Sequence, residues 1–444
     1  MKEAREVYIV DHVRTAFSQS NPLEPDKDVF SKKWGTELAA HVLIDMFDNR
    51  IPNTGSTLKR ENVSEVLTGS ALLQHEHGTF GGRINIWMAN FPFHVPATVF
   101  DKQDSSGMAT LHVGFGNISM GYSDVVVTLA FDQFTRVPLH DYGGKVKVFG
   151  WPPDRIMLNP ESEWYNDDLY DWNTSRLLFQ SAQKLAEQEA DHITKDEMDK
   201  FSARSHNLAA KAQESGFFKE EIVPIKGHKA GDPENEMEIA EDQSIKKAIS
   251  FEDIAKMSSI STPGWAGGYK NPVYSKDAYV AKFGTEEGII TIGNSAPLSD
   301  GASLCLLASK DAVEEYKLNP MSKVISIGFA GVDPTVRGRG VVPAAQMALE
   351  HANLKVDDID FWEINESFGV VALNAAKKLG IDWENKMNIH GGAIAIGNPA
   401  SASGLRITST IARILKEKKA KYGLAAISCG GGQGTAVVIE NLNI

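Results

Sequence analysis

Short apolar runs alternate with stretches of helical spacing along most of this chain. That alternation restricts the possible fold more than any other feature. Residues 7–10 (VYIV) are β-branched and aromatic, as a first buried strand is. Residues 34–46 carry helical apolar spacing, and 66–71 read as a strand ending in a loop. A helix rich in small residues is expected over 107–118, and a strongly apolar strand over 125–130 (VVVTLA). After a long break, 289–293 and 302–308 are strand-like. The order then begins again, with strands over 324–331 and 359–364, helices over 344–352, 370–379 and 401–416, and strands over 424–428 and 435–440. Alternating strands and helices imply a layered α/β fold with a largely parallel sheet. Both halves run strand, helix, strand, helix, strand, strand without evident sequence identity, so duplication rests on pattern.

The break at 135–284 is too long for a simple connection. It scatters Pro, Trp, Tyr and Asp among charged helices, one of them over 202–216, followed by a strand at 222–225. The acidic stretch 232–242 reads as a solvated loop. The expected division is 1–134 with 285–311 as an N-terminal half, 135–284 as an inserted cap, and 312–444 as a C-terminal half. A chain of 444 residues calls for more than one core. Its net charge of −13 argues against a sequence-independent nucleic-acid binder, which needs a basic surface. No apolar run approaches the roughly 18–20 residues that span a bilayer, and no partner membrane is expected. The chain has only two cysteines, Cys305 and Cys429. That excludes a disulfide scaffold or a Cys-rich zinc module and fits a reducing cytoplasm.

Four segments put special residues where strands end or helices begin: 101–109 (DKQDSSGMA), 362–368 (WEINESF), 388–399 (NIHGGAIAIGNP, continuing to Ser403 and Gly404), and 428–434 (SCGGGQG). Together they resemble the thiolase superfamily. The third is similar to its Gly-Gly-Ala-Ile-Ala-x-Gly-His-Pro signature, the second to Asn-Glu-Ala-Phe, and the fourth to Cys-x-Gly-Gly-Gly-x-Gly. The first resembles the segment in which a nucleophilic cysteine opens a buried helix. Residues 10–15 (VDHVRT), 201–206 (FSARSH) and 331–334 (GVDP) extend the likeness over nearly the whole chain, in order. The resemblance implies a five-layered αβαβα fold of two similar halves, with a cap that holds coenzyme A. It also implies a homodimer or homotetramer, no metal, and cleavage or formation of a carbon–carbon bond beside a CoA thioester. A hetero-complex with another thiolase chain or a small zinc-binding protein is the other partner it suggests.

The chain departs from that pattern at the positions that carry chemistry. Asp104 falls on the nucleophile and Asn398 on the histidine of Gly-His-Pro. The second cysteine falls on Ser428 without a gap, or on Cys429 with one deletion. Asn365 and Glu366 are kept. A thiolate at a helix N-terminus is a strong nucleophile, whereas a carboxylate attacks thioesters poorly. Two unit charges about 4 Å apart repel by about 4 kcal/mol at an effective dielectric near 20, about three orders of magnitude in rate. Asn398 accepts no proton at neutral pH. Both departures argue against conventional thiolysis. Asp104 is then an N-cap, or a general acid or base for retro-aldol chemistry on a β-hydroxyacyl-CoA. Ser428 is a small buried residue or a weak donor to the thioester. Asn398 is a turn residue or an oxyanion donor beside Asn365. The other reading is an inactive subunit that binds CoA or scaffolds a partner.

Arg337 lies where the family usually has a Met facing the acyl group, so it would pair a carboxylate on the substrate; otherwise it is a surface or interface arginine. His390 is read as structural. Gly430 and Gly431 allow backbone N–H groups to reach an oxyanion. A phosphate-binding P-loop is excluded, because neither Gly-Lys-Ser/Thr nor a helix follows these glycines.

Overall fold

A computed structural model describes residues 4–139, 145, 161–163, 171–189 and 191–442. Much of the first third of the expected cap therefore lies outside the described residues. Nine strands form the frame: β1 (Val7–Thr15), β2 (Glu65–Gly69), β3 (Ala97–Phe100), β4 (Val125–Asp132), β5 (Ser299–Ser309), β6 (Ser322–Gly331), β7 (Phe361–Ile364), β8 (Tyr422–Cys429) and β9 (Gln433–Asn441). Their spatial order is β7-β8-β9-β6-β1-β5-β4-β2-β3. The two halves meet along a short antiparallel pairing of β1 with β6, Val7 opposite Val324 and Ile9 opposite Ser322. Outward from that seam the order is the same on both sides. β1 is followed by β5, β4, β2 and β3, and β6 by β9, β8 and β7. Met387 then bridges Trp362 in parallel, in the place that β3 has in the other half. The repeat expected from pattern is thus a repeat of winding. In each half the two pairings nearest the seam are antiparallel and the outer pairings are parallel.

Helices fill three layers around these sheets. α1 (Gly35–Asp45) covers the outer face of the first half, and α4 (Val341–Ala352) with α5 (Gly369–Leu379) covers that of the second. α2 (Ser106–Ser119) and α6 (Ala402–Lys418) are packed together between the two halves of the strand frame. The central core draws Met108 and Leu111 from α2, Leu405 and Ile411 from α6, and Leu67, Val126, Ala425 and Val437 from both sheets. Fully burying each such aliphatic chain contributes about 1.5–3 kcal/mol.

α2 and α6 approach closely because glycine stands at the crossing. A Cβ on Gly107 would lie 2.4 Å from the Ser401 carbonyl oxygen, and one on Gly404 would lie 2.9 Å from Met108. That approach brings the segment before α2 against the segment before α6, and Gly107 N–H donates to Ser401 O at 3.2 Å.

Between β4 and β5 the chain forms α3 (Lys195–Ser215), capped by the Thr194 hydroxyl, which accepts from Glu197 N–H. The helix begins seven residues before the expected 202, where the cap supplies a start signal. Strand character at 222–225 breaks at Pro224. Ile222–Val223 joins β1, and Ile225–Lys229 starts a hairpin. The acidic stretch expected as a solvated loop is the second strand of that hairpin, Asp232–Ile239. Gly231 at φ 79° makes the turn, and the strand's charges stay in water, so solvation and strand pairing are compatible. Residues 289–293 form no strand; Thr291 makes a single bridge to Ser259. β3 was not anticipated at all. Arg14, fully buried, ties this region to β1 through Glu221 at 2.9 Å and both oxygens of Asp242 at 2.6 and 2.9 Å. Among the described residues no helix is long and apolar enough to cross a membrane.

Candidate active site

Three chain turns converge at the N-terminal ends of the two central helices. One carries Asp104, another Asn398, and the third is the glycine turn after β8. Asp104 sits in a tight turn, Gln103–Ser105, that leads into α2. It does not cap the helix, whose N-cap residue is Ser105 without a side-chain bond. The N-cap expectation is therefore corrected. The carboxylate is turned across the molecule instead, and its Oδ2 accepts the Gly430 N–H at 3.3 Å. Oδ2 also lies 3.5 Å from Nη1 of Arg337. Asp104 is 7% exposed and Arg337 4%. No described residue hydrogen-bonds to Oδ1, which leaves that oxygen as the free face of the carboxylate.

Arg337 comes from the turn Pro334–Gly340, whose start is held by Asp333 accepting from Thr335 N–H. Its own N–H donates to the Ser181 hydroxyl at 3.1 Å. Sequence reasoning gave this cation a carboxylate from the substrate; the chain itself supplies one.

The pleat of β8 separates the two candidates for the second cysteine place. Leu424 and Ala426 face the outer core of the second half, and Ala425 and Ile427 the central one. Alternation puts Ser428 with the former and Cys429 with the latter, on the side of α2. Both are buried. The Cys429 thiol is pushed up to about 11, mainly by burial and further by Asp104, with the Ser105 hydroxyl and the Lys102 and Arg337 cations pulling the other way. It is a thiol, not a thiolate, at neutral pH. Cys305 lies in β5, and burial first, then Asp11 and Glu221, push it higher still.

Asn398 and Asn365 are joined. Asn365 Nδ2 donates to Asn398 Oδ1 at 3.3 Å, and the Ser403 hydroxyl donates to the same oxygen at 2.7 Å. The Asn398 NH2 has no hydrogen-bond partner among the described residues, and the side chain keeps 8% exposure. Asn365 also donates to Ser367, while its Oδ1 is buried and unpaired. Glu366 points elsewhere. It accepts from Ser205 of α3 at 2.7 Å, from Asn388 at 2.8 Å and from Ile394 N–H at 3.1 Å. Burial raises its pKa, and those bonds oppose the rise. Gly392 lets the chain pass over it; a Cβ there would meet Glu366 Cδ at 2.3 Å.

Of the two candidate oxyanion glycines, Gly430 has its N–H on Asp104, and Gly431 lies at φ 74° on the exposed turn. His390 is away from this cluster, paired with Glu417 at 2.6 Å and stacked on Phe217.

Comparison with known proteins fits this geometry. The family model "Thiolase, N-terminal domain" matches residues 7–264, and "Thiolase, C-terminal domain" matches 318–441. The chain belongs to the thiolase family. The 3-ketoacyl-CoA thiolase of Marinobacter nauticus is 31% identical over 443 residues, covering 99% of both chains. The acetyl-CoA acetyltransferase of Syntrophomonas wolfei is 32% identical over 395 residues, covering 87% of this chain and 89% of its own. The crystal structure of the Bacillus anthracis acetyl-CoA acetyltransferase superposes with a TM-score of 0.77 at 26% identity, covering all of both chains.

Several residues of this thiolase site escaped sequence reasoning. Ser403 fixes the Asn398 amide. Gln103 adopts φ 51°, and its amide donates to Ala71 O at 3.1 Å. Ser181 clamps the Arg337 turn from 156 residues away. Ser403 and Gln103 had a local signal, since both lie within quoted segments, whereas Ser181 had none.

Proposed function

We propose that this thiolase-family chain binds an acyl-CoA and acts at the carbon–carbon bond beside the thioester without a covalent acyl-cysteine. In this reading Asp104 and Asn398 stand in the places of the family's nucleophile and base. The reaction is retro-aldol cleavage of a β-hydroxyacyl-CoA, or its reverse. Asp104 Oδ1 takes the β-hydroxyl proton. The Cα–Cβ bond breaks, its electron pair passes into the thioester as an enolate, and an aldehyde or ketone leaves. Asp104 returns the proton to Cα. The Asn398 NH2 donates to the enolate oxygen. The relatives are named for ketoacyl-CoA and acetyl-CoA, which supports a CoA thioester as the substrate.

One observation carries this reading: the buried carboxylate is matched by a buried cation and a backbone donor, with one oxygen left free. A centre that had only lost its cysteine would have no reason to hold a compensated charge pair, because an unpaired buried charge costs several kcal/mol. A non-catalytic acyl-CoA-binding subunit is the second reading. The Gly430 N–H favours it, since that donor is occupied by Asp104 and leaves the enolate fewer hydrogen bonds.

A second copy of the chain is the proposed partner. Among the described residues β3 is a sheet edge with β2 as its one neighbour. Beside it Phe80, Trp87, Met88 and Phe93 are exposed, Phe93 at 84%.

The test is turnover. Purified protein is given a β-hydroxyacyl-CoA and, separately, a β-ketoacyl-CoA with free CoA. Aldehyde and acyl-CoA released from the first, abolished by Asp104→Asn, is the expected result. Saturable binding without turnover of either supports the subunit reading. Thiolysis of the second substrate overturns both.

A further inference from the structure

Arg337 has more structure around it than a solvent-facing specificity residue needs. Its backbone is clamped by Ser181, and a Cβ on neighbouring Gly338 would meet Val371 at 2.7 Å and Leu185 at 2.9 Å, so this turn is packed tightly against two helices. The guanidinium is nine-tenths buried, and the carboxylate 3.5 Å from it belongs to the chain.

We infer that Arg337 is the counter-ion of Asp104, a positioning residue that holds the carboxylate by Oδ2 and leaves Oδ1 unbonded, and that the acyl group admitted beside the pair is uncharged. The catalytic part of this inference rests on the proton-transfer reading above; the charge part does not. Together the pair is close to neutral. A substrate carboxylate entering beside it would leave one net negative charge in a desolvated site, with Arg337 shared between two anions. The other groups around Asp104 do not offset it. Lys102, on the same segment, lies over the Phe329 ring at 5.7 Å. Cys429 at the end of β8 is protonated. On α6 the first charged side chain, Arg406, is turned to Glu363 at 3.1 Å. On α2, His112 is bonded to the Ala436 carbonyl and held neutral by burial. Among the described residues Arg337 is thus the cation paired with Asp104.

Four variants test this: Arg337→Met, Arg337→Lys, Asp104→Asn and the double variant Asp104→Asn/Arg337→Met. In urea unfolding, each charge-removing single variant is expected to lower the midpoint, and the double variant to recover much of the loss. In titrations with unreactive thioether analogues of acyl-CoA, an uncharged acyl chain is expected to bind about tenfold or more tightly than one of equal length ending in a carboxylate. Asp104→Asn should narrow or reverse that order, because it frees Arg337. If the enzyme turns over, Arg337→Met should lower kcat/KM by about tenfold or more, and Arg337→Lys should restore most of it. Additive single effects on unfolding overturn the counter-ion. A wild-type preference for the carboxylate analogue that Arg337→Met abolishes overturns the uncharged substrate. Absence of turnover defeats the proposed reaction and leaves the unfolding cycle and the binding order to decide the charge pair.

Discussion

Cys429 is buried at the end of β8 near Asp104, and its surroundings make it inert. Burial holds the thiol at about 11, and Asp104 adds to the effect. At pH 8 the thiolate fraction is then about 0.1%, against roughly a quarter for a free cysteine near 8.5. Alkylation by iodoacetamide in the native protein is expected to be at least about a hundredfold slower than in urea. Labelling at the rate of a free thiol, read by mass spectrometry, would show a different environment. Sequence could narrow the second cysteine place to Ser428 and Cys429 but not assign their faces, because one residue of register in a strand exchanges them. Pairing of Ser428 with Gly434 and Cys429 with Gln433 fixes that register. Nor could sequence show that Arg337 meets Asp104. Both residues were singled out, but 233 positions separate them, and only the convergence of two turns makes them partners.

At the scale of elements, the strands and helices of the frame were legible because each carries its own periodicity. β1, β4, β6, β8 and β9 all lie where apolar runs predict them. β3 was missed because its four residues, Ala97–Phe100, are only partly buried at an edge and show no apolar run. The hairpin strand Asp232–Ile239 was missed because its side chains are charged and its pairing is supplied by a neighbour. Glu366 was known from its motif, but its work is between elements. It joins α3, the chain at Asn388 and the turn at Ile394. Glu366→Ala strands three buried donors and is expected to cost about 3 kcal/mol or more in urea unfolding. Ser205→Ala removes one hydroxyl, which also accepts the Gly392 N–H at 3.0 Å, and should cost less, about 2 kcal/mol. Equal losses from the two would mean that the carboxylate is not the hub of that junction.

The whole molecule adds two properties that no segment carries alone. One is the open edge at β3, proposed above as the seat of a second copy. If a second copy covers it, Phe93→Asp with Trp87→Asp is expected to convert a dimer into monomers by light scattering while leaving the far-UV spectrum unchanged. The other is the pH dependence of stability. Burial lowers His77 and His206 to about 4 and His112 to about 3; for His77 and His112 a bond to a backbone carbonyl opposes it, and His75 or Lys102 adds to it. Burial raises Asp132 to about 7 against its bonds from Ser401, Ala71 and Ser70. It raises Glu363 to about 8 against Arg406, with Glu366 and Glu221 adding to the rise. The histidines contribute stability that is complete above their unfolded value near 6.5 and is lost as pH falls toward 4. The two carboxyls contribute stability that is complete below about 4 and is lost as pH rises through 7 and 8. Above pH 6.5 the histidines have nothing further to give, so only the loss remains. The urea midpoint is expected to fall between pH 6.5 and 8.5. Asp132→Asn should flatten the lower part of that fall, because the amide has no proton to lose there. A midpoint that stays level over the same interval in the wild type would mean that both carboxyls are already ionised in the fold at pH 6.5, and that the bonds from Ser401, Ala71 and Arg406 outweigh burial.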